Sequence, residues 1–164
     1  MNTKFSIIII SYNRPTETLE CIKSINNFCS KELIGEIIII NNNSDVDYEI
    51  FYKSLKKIDL KIIYKKLDQN LGVAGGRNYG IRISKHNKLF FIDDDAEVKN
   101  DILAIADNIF KSNKNHHVLA VQSLNFYNKK ININEFPCHD KSKLDQNSFE
   151  TSHFIGVGHF IKKE

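Results

Sequence analysis

Four short apolar runs recur between Phe5 and Ile92: Phe5 to Ile10 (FSIIII), Glu36 to Ile40 (EIIII), Lys61 to Tyr64 (KIIY) and Lys88 to Ile92 (KLFFI). Each is too short for a helix and rich in β-branched or aromatic side chains, so each reads as a buried strand. The segments between them have helical spacing. Pro15 supplies a first helical residue, and Leu19, Ile22 and Ile25 follow as one apolar stripe. Tyr48, Phe51, Tyr52 and Leu55 repeat the pattern. A third helix is predicted over Ala74 to Ser84 and a fourth over Asp101 to Phe110, with Ile102, Ile105, Ala106 and Ile109 on one face. Alternating strands and helices imply an α/β fold with a mostly parallel sheet flanked by helices. Past Asn113 the pattern loosens. Val118 to Leu124 and His153 to Ile161 read as strands, and Asn132 to Ser152 as a long polar loop. No repeat or linker divides the chain, so residues 1–164 are expected to form a single domain.

Composition narrows the partners. Net charge is +3, and the lysine pairs (Lys56-Lys57, Lys65-Lys66, Lys129-Lys130, Lys162-Lys163) are scattered rather than gathered in one block, which excludes a nucleic-acid arm. Cys21, Cys29 and Cys138 are odd in number and form no C-x-x-C pair, which suits a reducing compartment. His139 and His153 beside Cys138 match no zinc spacing. The run Phe5 to Ile10 is too short for a signal-peptide core, and no stretch approaches the ~20 apolar residues of a membrane span. The expected location is cytoplasmic, with any membrane role peripheral, at the inner face.

In an open parallel sheet, ligands bind beyond the carboxyl ends of the strands. The polar segments there are Ser11 to Arg14, Asn41 to Ser44, Asp68 to Arg77 and Asp93 to Asp95, and they converge on one crevice. Three adjacent carboxylates directly after an apolar run repel one another unless a cation neutralises them. With the chain extended through the triplet, Asp93 and Asp95 point to one side, ~6.5 Å apart, and both address one Mg²⁺ or Mn²⁺ ion that carries a diphosphate. The competing reading is that the aspartates cap a helix or face water. The segment NLGVAGGRNYG (Asn70 to Gly80) is not a Walker A loop, because no Gly-Lys-Ser/Thr follows, and β-strand one lacks G-x-G-x-x-G. It brings a glycine-permissive backbone to a helix start and places Arg77 about one turn in, where it can fork onto a phosphate or a carboxylate. A glycine patch used only for helix packing, with a surface arginine, is the other possibility.

Together, FSIIIISYNRPTETLECIKSI, IIIINNNSD, NLGVAGGRNYGI and FIDDDAEV resemble, in that order, the nucleotide-sugar-binding half of the family-2 glycosyltransferases, which have the GT-A fold. The resemblance covers nearly the whole chain. It implies an inverting, metal-dependent glycosyltransferase that uses a nucleoside-diphosphate sugar, with UDP-sugar favoured, Mn²⁺ or Mg²⁺ as cofactor, and a saccharide or lipid-linked acceptor in polysaccharide biosynthesis. By the same resemblance Ser11, Tyr12, Asn13, Arg14, Asn41 and Asn43 line the nucleotide site with Gly72 and Gly76. Arg77 lies near the donor phosphates, Asp93 and Asp94 contribute to donor binding, and Asp93 and Asp95 hold the metal as the D-x-D motif. Gly156, Gly158 and His159 fall on the acceptor or diphosphate side. Two departures stand out. Asn41 occupies a position where the family commonly has Asp to accept from the uracil imide; Asn still accepts through its carbonyl oxygen. The family's carboxylate base lies well beyond the D-x-D motif, so no catalytic base is expected among residues 1–164, and the acceptor part is expected to follow Glu164 in a longer enzyme. The alternatives are a binding module that holds nucleotide sugar without turnover and, less favoured, a nucleotidyltransferase, which would carry a glycine-rich basic loop where Ser11 to Pro15 has no glycine.

Overall fold

A computed structural model describes residues 4–125, 127–131, 142–143, 149–154 and 156–163. Strands β1 (Phe5–Ser11), β2 (Ile34–Asn41), β3 (Ile62–Lys66) and β4 (Lys88–Asp93) run parallel in the order β3-β2-β1-β4. Beyond β4 the sheet continues with β6 (Gly158–Lys162) and then β5 (Val118–Ala120), both in antiparallel pairings. Helices α1 (Pro15–Phe28), α2 (Glu49–Leu55), α3 (Gly72–Ile83) and α4 (Ile102–Ser112) connect the strands.

The isoleucine runs are continuous because both faces of the sheet are covered. Alternate residues of β1 and β2 go to opposite sides. Ile7, Ile9, Ile37 and Ile39 join Phe90, Phe160 and the apolar faces of α1, α2 and α4, whereas Ile8, Ile38 and Ile40 join Leu89, Phe91 and the residues of α3. Each buried isoleucine contributes about 1.5–3 kcal/mol relative to exposure. Pro15 opens α1 as expected, and Cys21, Ile22 and Ile25 are buried along it. Helix α3 lies close on β1 because Gly76 and Gly80 present no side chain there. A Cβ on Gly76 would meet Ile10 at 3.0 Å and one on Gly80 would meet Ile8 at 2.5 Å.

The structure corrects several sequence expectations. Helix α4 buries Leu103, Asp107 and Phe110 beside the expected Ala106, with Ile102 partly buried against the core, whereas Ile105 of the expected face is exposed. Asp107 reaches the interior because Lys88 and Lys111 both pair with it. The predicted strand to Leu124 stops at Ala120, since Leu124 bridges Ile131 across a turn, and the strand predicted from His153 begins at Gly158. Most of the predicted loop 132–152, including Cys138 and His139, lies outside the described residues. Finally, the chain is not extended through the carboxylate triplet. It turns at Asp94-Asp95, with the Ala96 N–H donating to the Asp93 carbonyl at 3.1 Å.

At the opposite end of the sheet from this turn, Glu36 is fully buried and accepts from the Ser6 hydroxyl (2.8 Å), the Lys85 N–H (2.7 Å) and the Lys61 ammonium (2.9 Å). Burial pushes its pKa up, but these donors outweigh burial and hold it below its ordinary value of 4.5. Its stabilisation is therefore present above pH 4.5 and is lost as pH falls through the lowered folded pKa. Glu36→Gln should destabilise the protein by about 1–3 kcal/mol at pH 7, and the difference from wild type should shrink on acidification, as read by denaturant melts at two pH values. Gly80→Ala should cost about 1–3 kcal/mol through overpacking against Ile8, measured in the same way at neutral pH.

Candidate active site

The strand order reverses direction between β1 and β4, and ligands in such sheets bind at this switch point. Ile10 lies opposite Asp93, so the segment after β1 and the turn after β4 emerge side by side. Arg14, just before α1, reaches across and pairs with Asp94 at 3.5 Å and with Asp95. Arg77, from the second turn of α3, donates to Asp93 Oδ1 at 2.9 Å and to the Gly156 carbonyl at 2.9 Å, above the ring of Phe91. The cations that neutralise the triplet here are two guanidiniums.

Neutralisation is incomplete. Burial pushes the Asp94 carboxyl up to about 6; Arg14 opposes the shift and Asp95 adds to it. Burial also raises Asp93, Arg77 opposes the rise, and Asp95 reinforces it. Beneath the turn, the thiol of Cys21 faces the Asp93 carbonyl at 3.7 Å. Burial first, then Asp94 and Asp95, raise its pKa far above the ordinary thiol value, so it is an inert packing thiol.

The β1 and β2 segments are tied together into one wall. The Asn13 side chain accepts from the Asp45 N–H at 2.8 Å, its own N–H donates to Ser44 Oγ at 2.9 Å, and the Tyr12 hydroxyl donates to Asp45 at 3.2 Å. Asn13 and Asn43 both take positive φ, 58° and 63°, a conformation that asparagine tolerates better than most residues. Tyr12, Asn13 and Arg14 face solvent and Asn43 is partly exposed.

Two of the residues expected at the nucleotide site are buried. Ser11 is buried, with its hydroxyl between Thr18 Oγ1 (2.6 Å) and the Tyr48 hydroxyl (2.7 Å). Asn41 is 1% exposed; its amide donates to the Tyr64 hydroxyl at 2.6 Å and its carbonyl accepts from the Ser44 N–H at 2.8 Å. Both ends of that side chain are thus engaged within the protein, one by β3 and one by the loop that follows β2. Asn42, for which sequence reasoning found no role beyond its place in the segment Asn41 to Ser44, has the more telling place. It donates to Asn70 Oδ1 (2.8 Å) and the Gly72 carbonyl (3.2 Å) and accepts from the Leu71 N–H (2.9 Å), clasping the start of α3 to β2. Nothing in a run of three asparagines marks the middle one as the clasp.

The glycines divide in the same way. Gly72 has φ of 67° with open space around it, whereas Gly76 is buried against Ile10. At Gly158, Val121 Cγ2 stands 2.6 Å from where a Cβ would be, and Gly156 seats the Arg77 guanidinium. His159 is 6% exposed, stacked on Phe91 with ring centroids 4.8 Å apart. Burial first and then Arg77 lower its pKa to about 4, so it is neutral at physiological pH.

No helix among the described residues is long and apolar enough to cross a membrane. The sequence profile of glycosyl transferase family 2 matches residues 6–163. An uncharacterised protein of Haemophilus influenzae is 30% identical over 97% of this chain and 87% of its own length. The GalNAc(5)-diNAcBac-PP-undecaprenol beta-1,3-glucosyltransferase of Campylobacter jejuni is 35% identical over 62% of this chain but only 32% of its own. Among solved structures, residues 1–349 of Staphylococcus aureus TarS in complex with UDP-GlcNAc superpose with a TM-score of 0.70 at 16% identity, over 95% of this chain and 44% of that one. This chain thus spans less than half of those two larger proteins. It belongs to glycosyl transferase family 2, and its sheet has the GT-A fold.

Proposed function

We propose that this protein binds a UDP-sugar with a divalent cation and takes part in inverting transfer of the sugar to a saccharide or lipid-linked acceptor, in the building of a polysaccharide. The observation that carries the reading is the meeting of Asp93, Asp94 and Asp95 with Arg14 and Arg77 at the switch point between β1 and β4. Such a mixture of oxygen donors and guanidinium forks is the chemistry that holds a metal-bound diphosphate. The donor of the TarS complex and the lipid-linked acceptor named for the Campylobacter enzyme support the same substrate classes.

The residues fit a hard divalent ion. Among the described residues no three His, Cys, Asp or Glu side chains form a metal cage. Mg²⁺ and Mn²⁺ do not need one, since one or two carboxylates suffice when water and phosphate oxygens complete the shell. Asp93 and Asp95 are the carboxylates we assign to it; Asp95 is the more accessible, with half of its side chain exposed. Bound there, the ion would offset negative charge gathering on the leaving diphosphate. Arg77, held by Asp93 and Gly156, presents a fixed positive charge to the same oxygens. The exposed wall of Tyr12, Asn13 and Asn43 receives the nucleoside.

UDP should raise the melting temperature of the protein, and Mn²⁺ or Mg²⁺ should enlarge the shift. Equal UDP affinity in EDTA and in excess metal, by calorimetry, would refute the metal-dependent reading. Asp95→Asn should leave the ligand-free melting temperature nearly unchanged, because an exposed ion pair contributes about 0–1 kcal/mol, while weakening UDP binding in Mn²⁺ by about tenfold or more. Thermal melts without ligand and UDP titrations with Mn²⁺ check the two halves separately.

A further inference from the structure

We propose that Arg14 is a movable counter-ion that a metal must displace from Asp95, so that the cation and the diphosphate are taken up together rather than one at a time. The proposal rests on the metal reading given above. In the ligand-free protein Arg14 already sits on Asp94 and Asp95, the latter one of the two carboxylates assigned to the metal. A divalent ion on Asp95 and a guanidinium on the same carboxylate repel each other, so one must yield.

The two arginines differ in how firmly they are held. Arg77 is three-quarters buried, and besides Asp93 it has the Gly156 carbonyl as a second partner and the Phe91 ring beneath it. Arg14 has half its side chain in solvent, and among the described residues its guanidinium is paired with the two exposed or partly buried carboxylates of Asp94 and Asp95. Its backbone, by contrast, is fixed: its N–H donates to the Tyr48 hydroxyl at 3.2 Å, and its carbonyl accepts from the Thr18 N–H at 3.0 Å at the start of α1. A fixed base with a loosely held, long side chain allows the guanidinium to leave the carboxylates without any shift of α1. Released, its fork faces the same crevice and suits a phosphate oxygen pair. Arg14 therefore opposes a metal that arrives alone and favours one that arrives with a diphosphate. By linkage, UDP tightens the metal as much as the metal tightens UDP.

The test is Mn²⁺ binding to the full chain, read by the electron paramagnetic resonance signal of free Mn²⁺, with and without UDP. Removing the competing charge in Arg14→Gln should tighten Mn²⁺ alone by about fivefold, the weight of one contact charge pair in high dielectric, and should shrink the further gain produced by UDP. Arg14→Lys keeps the charge but cannot span two carboxylates, and should fall between wild type and Arg14→Gln. Circular dichroism melts confirm that each variant is folded. Should Arg14→Gln fail to fold, the ranking of Arg14→Lys against wild type carries the test. Mn²⁺ affinity that is unchanged or weaker in the variants overturns the proposal while leaving the metal reading intact. No Mn²⁺ binding by any variant, with or without UDP, overturns the metal reading and the proposal with it.

Discussion

β1 is hydrogen-bonded along both edges and covered on both faces, and the position of every group at the crevice follows from that confinement. Its ladder with β2 sets Ser11 opposite Asn41, and its ladder with β4 sets Ile10 opposite Asp93. A one-residue slip of either neighbour would turn its alternating side chains to the wrong faces, so the register is strongly specified. Helix α3 is located from the same strand, through Gly76 on Ile10 and Gly80 on Ile8, and Arg77 follows from where α3 lies. The distances between guanidiniums and carboxylates are thus consequences of how isoleucines pack several residues away.

Much of this frame was legible because a β-branched run of five or six residues has few other uses, and because Pro15 with Leu19, Ile22 and Ile25 spells out a helix. What the sequence left obscure depends on contacts between distant segments. The face of α4 was only partly legible: Ala106 and Ile102 turn inward as their spacing implies, whereas Asp107, which any hydropathy scale ranks below isoleucine, is interior through Lys88 and Lys111. Asn41 looked like a ligand group, and only the placement of Tyr64 and Ser44 around it shows both ends of its amide engaged. Glycine is ambiguous in the same way. The letters cannot tell a glycine that leaves room for a ligand from one that leaves room for a neighbouring side chain, and Gly76 and Gly158 stand against Ile10 and Val121.

The carboxylate triplet joins the two levels. It was readable as a cluster in need of a positive partner, but not that the chain would turn within it and divide the carboxylates between two arginines. That division matters physically. Three carboxylates against two guanidiniums leave one formal negative charge at the crevice; burial is the main reason the pKa values of Asp93 and Asp94 are raised, and the nearby charge of Asp95 adds to the rise. Adding a divalent ion would turn the balance to one formal positive charge, which suits a diphosphate and disfavours the empty, metal-only state. In the proposed site the acids are paired with arginines before any ligand arrives, and a cation would be needed to make the crevice attractive to an anion. The pairing of these acids with arginines would thus couple the two ligands, and the half-exposed pair of Arg14 and Asp95 is the part of it weak enough to be exchanged.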